Sequence, residues 1–474
     1  MNRYTTTLLC SVLIILHSYS QSNSHWDLST CIDFAVKHNI TLKQASIQTQ
    51  ISKNNFTQSE ASILPTFNAG AQHTYNFGRT IDRYTNTFAN SQVLSQNFYV
   101  SSNVILWSGL AQYNNIKANQ YQYLARTENY LQQQNDIALN VATNYINVIF
   151  SEEILNIAKQ SYLLTEEQVK RTTILVNEGS LSKSMAYDLD AQLANDNVTV
   201  INADNNYQLA VLGLKQLLNA DTINQFKVTR PEIEITDADL TKLSIQTIYE
   251  EALKNQHSIK SAQYNLLASE KTLNAAKGKV SPTLSATGSL GTGTSELNKR
   301  LVSSNVSGYT PVAATLDGST IVYQPQYNII TEKKPFADQF NENVNKSIGF
   351  TLTVPILNGL QTLTSVKNAQ LNVLNAKYTQ ELTEQNLYKT IAQAYANANA
   401  ALNKYHANDI AVEAAQQSFN FTQQKFTVGT ISTFDFNTAK TRLQNAQSNL
   451  IQAKYDYIFK LKVLDYYQGK ELRF

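Results

Sequence analysis

Glycine and proline are scarce in this chain, 15 and 7 of 474 residues, well under half their usual combined share of roughly 12 per cent. Few sites remain for turns, which excludes a fold built of many short elements. Charge is thin as well: 16% of residues are ionisable acids or bases, against about 25 per cent in ordinary soluble domains. The polar surface is carried instead by Asn, Gln, Ser and Thr. A net charge of +2 lacks the basic excess of a nucleic-acid binder, and the absence of a long acidic run excludes an acidic tail. What is left is a chain of long helices with neutral polar faces.

Residues 1–20 read as a cleaved signal peptide. Arg3 supplies a positive start, Leu8 to Leu16 is apolar apart from Cys10 and Ser11, and Ser18-Tyr19-Ser20 offers small residues before Gln21. The apolar run is too short to span a bilayer as a helix, and no later run approaches eighteen apolar residues. Removing it takes away Arg3 and no acid, which leaves 37 basic and 36 acidic side chains. Cys10 leaves with it, so Cys31 is the remaining thiol and no intramolecular disulfide is expected. Cys10 lacks the small residues that precede a lipidated cysteine, and no lipid anchor is expected either.

The chain then repeats itself. Ala35-Val36-Lys37-His38-Asn39 to Leu64-Pro65-Thr66 matches Ala252-Leu253-Lys254-Asn255-Gln256 to Ser281-Pro282-Thr283 at a constant offset of 217. Gly109-Leu110, Tyr145, Gly179 and Tyr207 match Gly359-Leu360, Tyr395, Gly429 and Tyr457 at an offset of 250. The difference places 33 additional residues in the second copy, between Pro282 and Gly359. Residues 21–220 form the first copy, 221–244 a connecting segment around the outside, 245–468 the second copy and 469–474 a tail.

Within each copy the periodicity switches twice. Leu28 to Ile63 has helical spacing without Pro or Gly. Phe67 to Phe77 alternates, with Ala69, Ala71, His73 and Tyr75 on one face and Asn68, Gly70, Gln72 and Thr74 on the other. A second strand carries Phe98, Val100, Ser102, Val104 and Leu106 opposite Tyr99, Ser101 and Asn103. The second copy repeats the plan with Leu284 to Leu290, then Ile348, Phe350, Leu352 and Val354 alternating with Ser347, Gly349, Thr351 and Thr353. Residues 76–96 and the insertion-bearing 294–346 are expected to be loops at one end. Next come 111–177 and 361–428, free of Pro and Gly, each long enough for a helix of about 100 Å. Leu124, Leu131, Ala138 and Tyr145 repeat every seven residues with Val141, Val148 and Leu155 three behind, the spacing of a coiled coil. Each long helix ends at a glycine, 179 or 429, and reverses into a shorter one, Lys183 to Leu218 or Phe434 to Tyr467.

Four such strands admit two readings. A soluble sheet would turn its apolar face to a core, but the flanking helices are too long and too polar to cover it. A membrane barrel accepts apolar-out, polar-in strands of about ten residues but needs at least about eight of them, so one chain is insufficient. Two chains would supply eight and three would supply twelve.

The Trp26-Asp27-Leu28 opening followed by Cys31-Ile32 and Ala35, the duplicated helix-strand-strand-helix-helix plan, the Val354-Pro355-Ile356-Leu357-Asn358-Gly359 turn and Phe426-Thr427-Val428-Gly429-Thr430 with Asp435 resemble the TolC-like outer-membrane efflux channels over nearly the whole mature chain. Asn76-Phe77-Gly78-Arg79-Thr80-Ile81-Asp82 resembles a segment of the family's Bacteroidetes-type branch, with Arg83 where a Pro is usual. The resemblance implies a mostly α fold with a small β part. Three chains would form a twelve-stranded outer-membrane β-barrel continued by a twelve-helix periplasmic α-barrel. It further implies docking to a periplasmic adaptor and an inner-membrane pump, and passive conduction in an efflux or type I secretion system.

No catalytic, cofactor or metal set competes with this reading. His25, His38, His73, His257 and His406 stand in unrelated contexts, and no H-E-x-x-H, C-x-x-C, P-loop or G-x-S-x-G occurs. Gly288-Ser289-Leu290-Gly291-Thr292-Gly293 lies on a strand, with no Lys following and no helix opened, so it reads as small-residue packing. The rival is an exported structural or adhesive coiled coil, which explains the heptads but neither the duplication nor the apolar-out strands. Three sets of site residues follow. Phe98, Val100, Val104, Ile348, Phe350, Leu352 and Val354 are expected to face outer-membrane lipid. Gly179-Ser180-Leu181 and Gly429-Thr430-Ile431 are expected to form the adaptor-docking tips. Asp435, in the place of one aperture aspartate of the family, and Asp188, by spacing alone, are expected to ring a pore constriction. Thr438 and Met185 stand where further acids would be.

Overall fold

The computed structural model describes residues 25–89, 92–220, 226–231 and 243–470. The signal-peptide reading, most of the connecting segment 221–244 and the last four residues of the tail lie outside them. The chain divides into two compact units, one of Met1–Lys53, Tyr121–Leu266 and Asn375–Phe474, the other of Asn54–Gln120 and Leu267–Leu374.

The first unit is helical. Asp27 caps α1 (Leu28–His38), its carboxylate accepting from the Thr30 amide at 2.7 Å. The sequence pattern runs unbroken into α2 (Ile40–Ala61), yet the chain bends at Asn39, whose backbone is extended and whose amide oxygen caps Thr41 at 2.9 Å. The second copy bends at Gln256, between α5 (Ile245–Asn255) and α6 (His257–Gly278). Neither break involves Gly or Pro, so the single helix expected from Leu28 to Ile63 is corrected to two.

The long helices run where the missing turn residues require them: α3 is Ala111–Asn177, α4 Lys183–Leu218, α8 Gln361–Thr427 and α9 Thr433–Tyr467. The heptad side of α3 builds the core: Val141, Tyr145 and Val148 are buried with Cys31 and Ala35 of α1 and Leu214 of α4. A second cluster joins Ile248 and Ile259 to Ile391 and Leu464. A third surrounds Leu189, Phe419, Phe426 and Phe436. The strand β1 (His25–Trp26) pairs in parallel with β6 (Lys227–Val228).

The second unit centres on a four-stranded antiparallel sheet of order β10-β7-β5-β2, where β2 is Thr66–Asn76, β5 Val93–Trp107, β7 Thr283–Ser295 and β10 Asn345–Thr353. In β2–β5, Thr66 pairs with Asn103; in β7–β10, Thr283 pairs with Thr353, at the same offsets of 217 and 250. The first loop contains a short ribbon of β3 (Thr80–Ile81) and β4 (Phe88–Ala89). The insertion departs from the loop expected of it: β8 (Lys299–Ala314) and β9 (Ile321–Lys333) form a long antiparallel hairpin, followed by a short helix, α7 (Phe336–Glu342).

Candidate functional site: an apolar-faced sheet and two helix reversals

Residues paired across an antiparallel ladder share a face, so the register sorts the sheet. Ala69, Val100, Leu290 and Lys346 form one cross-strand row; Ala286 with Phe350, Leu284 with Leu352 and Gly288 with Ile348 extend the same face. Phe98 and Val104 lie on it too, paired with Thr292 and Ala286. The opposite face is small and polar: Asn68, Gly70, Ser101, Tyr99, Ser285, Thr287, Gly349 and Thr351. Six of the seven expected lipid-facing residues therefore share one face. Val354 is exposed one residue beyond the end of β10, outside the ladder. Leu106 is corrected: a bulge between Ile105 and Trp107 lets Trp107 pair with Leu284 and take the apolar position.

The uncovered side chains on this face are large. Phe350 is 70% exposed, Ile348 85% and Phe67 73%. Phe98 and Val104 are half-buried, Phe98 under α7 with its ring 5.5 Å from that of Phe340. Both edge strands, β2 and β10, lack a partner on their outer side among the described residues. No helix among the described residues is long and apolar enough to cross a membrane.

On the polar face the first loop is pinned down. Asp82 is buried and accepts from the amides of Tyr84 at 3.0 Å and Thr85 at 2.7 Å and from the hydroxyl of Ser295. Burial pushes its pKa upward, but these hydrogen bonds outweigh it and hold the carboxyl below its usual value. The Tyr84 hydroxyl donates to Asn97 at 3.3 Å, and the ring occupies the space a side chain at Gly293 would need.

Both helix reversals have one geometry. Gly179 and Gly429 take φ of +79° and +76°. In each, the glycine amide donates three residues back, to Val176 or Phe426, and the next amide donates five back, Ser180 to Leu175 at 2.8 Å and Thr430 to Lys425 at 3.0 Å. This pairing satisfies the terminal carbonyls of α3 and α8 and defines a Schellman turn. Ser180 and Thr430 are exposed, while Ile431 is half-buried against the Phe436 cluster.

Asp435 has a structural task. It closes a capping box with Ser432, whose hydroxyl lies 2.7 Å from the carboxylate and 3.1 Å from the Asp435 amide. Asp188 is exposed in the second turn of α4. Their sequence neighbours Leu189 and Phe436 are buried in one cluster. A polar group the sequence reading missed lies further along: Lys440 Nζ is 2.5 Å from Asp196 Oδ2 and 2.7 Å from Thr165 Oγ1, all three buried.

Residues 31–220 and 248–467 match the family described as outer membrane efflux protein, and the chain belongs to that family. It is 25% identical over 430 residues to outer membrane protein TolC of Escherichia coli (strain K12), covering 89% of this chain and 77% of that one. It is 23% identical over 439 residues to the TolC of Vibrio cholerae, with 92% and 90% covered. The fold is similar to that of the Campylobacter jejuni CmeC outer membrane channel, with TM-score 0.73 at 18% identity over 93% of this chain and 85% of that one. It is also similar to CusC, with TM-score 0.74 at 15% identity and 96% of each chain covered. The chain is thus an outer-membrane channel of efflux or secretion systems, extending into the periplasm, in a family of channels rather than enzymes.

Proposed function

We propose that three copies close into a twelve-stranded barrel in the outer membrane and a twelve-helix barrel in the periplasm, through which exported substrates pass without energy input. The observation that carries this is the open sheet: four strands, an uncovered apolar face and two unpaired edges, which a bilayer tolerates only when closed. Residues 21–220 and 245–468 are the two structural repeats, 221–244 the equatorial connection and 294–346 the extracellular insertion. Driving force comes from an inner-membrane pump through a periplasmic adaptor, as the efflux relatives suggest. The adaptor contacts Gly179-Ser180-Leu181 and Gly429-Thr430-Ile431. Of these, exposed Ser180 and Thr430 are the informative positions to alter, because Ile431 also supports the fold. Asp188 and Asp435 ring the constriction, where clustered carboxylates favour cations.

The test is a planar bilayer: the purified oligomer conducts, and Asp188→Asn with Asp435→Asn lowers cation selectivity while Asn retains a capping oxygen. Absence of conductance from an intact oligomer would overturn the channel reading. Unchanged selectivity would reduce Asp435 to its cap. The membrane register is tested separately. Phe350→Lys lowers assembled oligomer, at about 2 to 4 kcal/mol for a lipid-facing charge at mid-bilayer, and Thr351→Lys does not.

A further inference from the structure

The insertion is an amphipathic hairpin with no other described element lying along it. Along β9 alternate residues pair with β8 so that Leu301, Val306, Tyr309, Tyr323, Tyr327 and Ile329 fall on one face. Asn305, Thr310, Gln324, Gln326 and Asn328 fall on the other, which is apolar only towards its ends, at Val322 and Ile330, and has Arg300 paired to Glu332 at the base. The register shifts by one residue at three places in β8, past Val302, Ser307 and Val312. The first two shifts return Val306 and Tyr309 to the side of Leu301. All six named apolar side chains are exposed, and no other described element packs along the hairpin. A two-stranded hairpin is at best marginally stable alone.

Three observations select the occupant. First, the bulges and the strand prolines Pro311 and Pro325 spoil both edges for ladder pairing, so the contact is made by the face. Second, from Leu301 to Ile330 the one charged residue is Asp317, at the tip. That depletion of charge with enrichment in tyrosine marks the core of a protein interface, and the basic residues that could hold an element to an anionic membrane surface lie at the base, where Arg300, Lys333 and Lys334 pair with Glu332, Glu296 and Glu342. Third, the size is right. Three tyrosines at about 150–250 Å² each, with the aliphatic and proline side chains, approach the roughly 800 Å² per partner of a standard interface.

We infer that this face binds the same hairpin of neighbouring copies, so that three hairpins form a collar outside the membrane. The inference rests on the three-chain reading. Twelve tilted strands close a ring about 24 Å across, and a 13-residue strand such as β9 reaches about 44 Å, enough for hairpins rising from one rim to meet. The hairpin base is tied to the sheet: Glu296 donates its amide to the Leu94 carbonyl of β5 at 3.0 Å, and the Gln339 side-chain amide donates both to the Ser295 carbonyl of β7 at 3.1 Å and to the Lys334 carbonyl at 2.9 Å.

The test uses the full-length oligomer in outer-membrane vesicles, with single cysteines at Tyr309, Tyr323 or Tyr327 and, on the polar face, at Gln324 or Gln326. Cys31 is buried and its thiol is pushed up to about 12 by that burial, so an introduced thiol reads alone. We expect tyrosine-face thiols to react about tenfold more slowly with a water-soluble maleimide than polar-face thiols, as in a packed interface core. They should also join chains covalently with a short bis-maleimide. Equal reactivity on both faces of an intact trimer overturns the collar alone. So does protection without cross-linking, and so does quenching of a tyrosine-face fluorophore by nitroxide lipids, which would make the occupant lipid. Native mass measured on the same samples separates these outcomes from a failure of the trimer, which would overturn both readings.

Discussion

Lys440 is the eighth residue of α9, with its side chain 3% exposed, and Asp196 of α4 is its counter-ion at 7%. Thr165 of α3 contacts the same carboxylate oxygen at 2.5 Å, so three helices meet at one buried charge pair. Removing one partner strands a charge away from water and costs about 3–5 kcal/mol, whereas replacing both with apolar side chains of similar size is close to neutral. Lys440→Met should therefore lower the thermal midpoint of the folded protein sharply, and Lys440→Met with Asp196→Leu should restore most of it. A single variant as stable as the parent would show that the pair is not held in the dry core. Sequence reading could not find this pair. Its members stand 244 residues apart, and each lies in a long polar helix where a charge is ordinarily solvated. Asp435 shows the converse: its place at the start of α9 suggested a constriction, whereas the structure gives it a capping box with Ser432, and a pore role requires neighbours that one chain does not contain.

At the level of elements, what was legible followed from absence and alternation. Without Gly or Pro, α3 and α8 had nowhere to stop before Gly179 and Gly429, and period-two alternation located β2, β5, β7 and β10. The hairpin β8–β9 escaped because its three bulges interrupt that period while preserving the face. The bends at Asn39 and Gln256 escaped because hydrogen bonds from polar side chains, rather than turn residues, hold them. Glycine positions separate strain from close packing. Gly429 has positive φ and open space where a β-carbon would stand, so Gly429→Ala should cost about 1–2 kcal/mol from backbone strain. Gly109 has φ +60°, and a β-carbon there would overlap the Gly278 carbonyl oxygen. Gly109→Ala should therefore lose most assembled protein where Gly429→Ala keeps it, as read by the yield of folded oligomer. Comparable yields would mean that the contact between these two backbones yields easily.

For the whole molecule, the duplication specifies how copies should meet. The contact between the first and second repeats inside the chain is β5 against β7, with Phe98 opposite Thr292, Val100 opposite Leu290 and Ser102 opposite Gly288. Shifting β5 by 250 and β7 by 217 turns it into a contact between β10 of one chain and β2 of the next. In that contact Ile348 would stand opposite Tyr75, Phe350 opposite His73 and Leu352 opposite Ala71, all on the apolar face. The helices make the same statement. His257 lies 2.7 Å from Glu128 inside the chain, and the counterparts at the same offsets are Ile40 and Tyr378. Both are apolar and exposed, at 61% and 62%, so burying one against the other between chains would supply the missing partner. Two double-cysteine variants test the strand register. Ala71→Cys with Leu352→Cys should oxidise to a covalently linked oligomer, because paired strand positions lie within disulfide reach. Tyr75→Cys with Leu352→Cys, displaced by four residues along β2, should not. Within one chain β2 and β10 are opposite edges of the sheet, so any product must join two chains. Linkage by the displaced pair and not by the aligned one would show that the contact between chains does not repeat the contact within them.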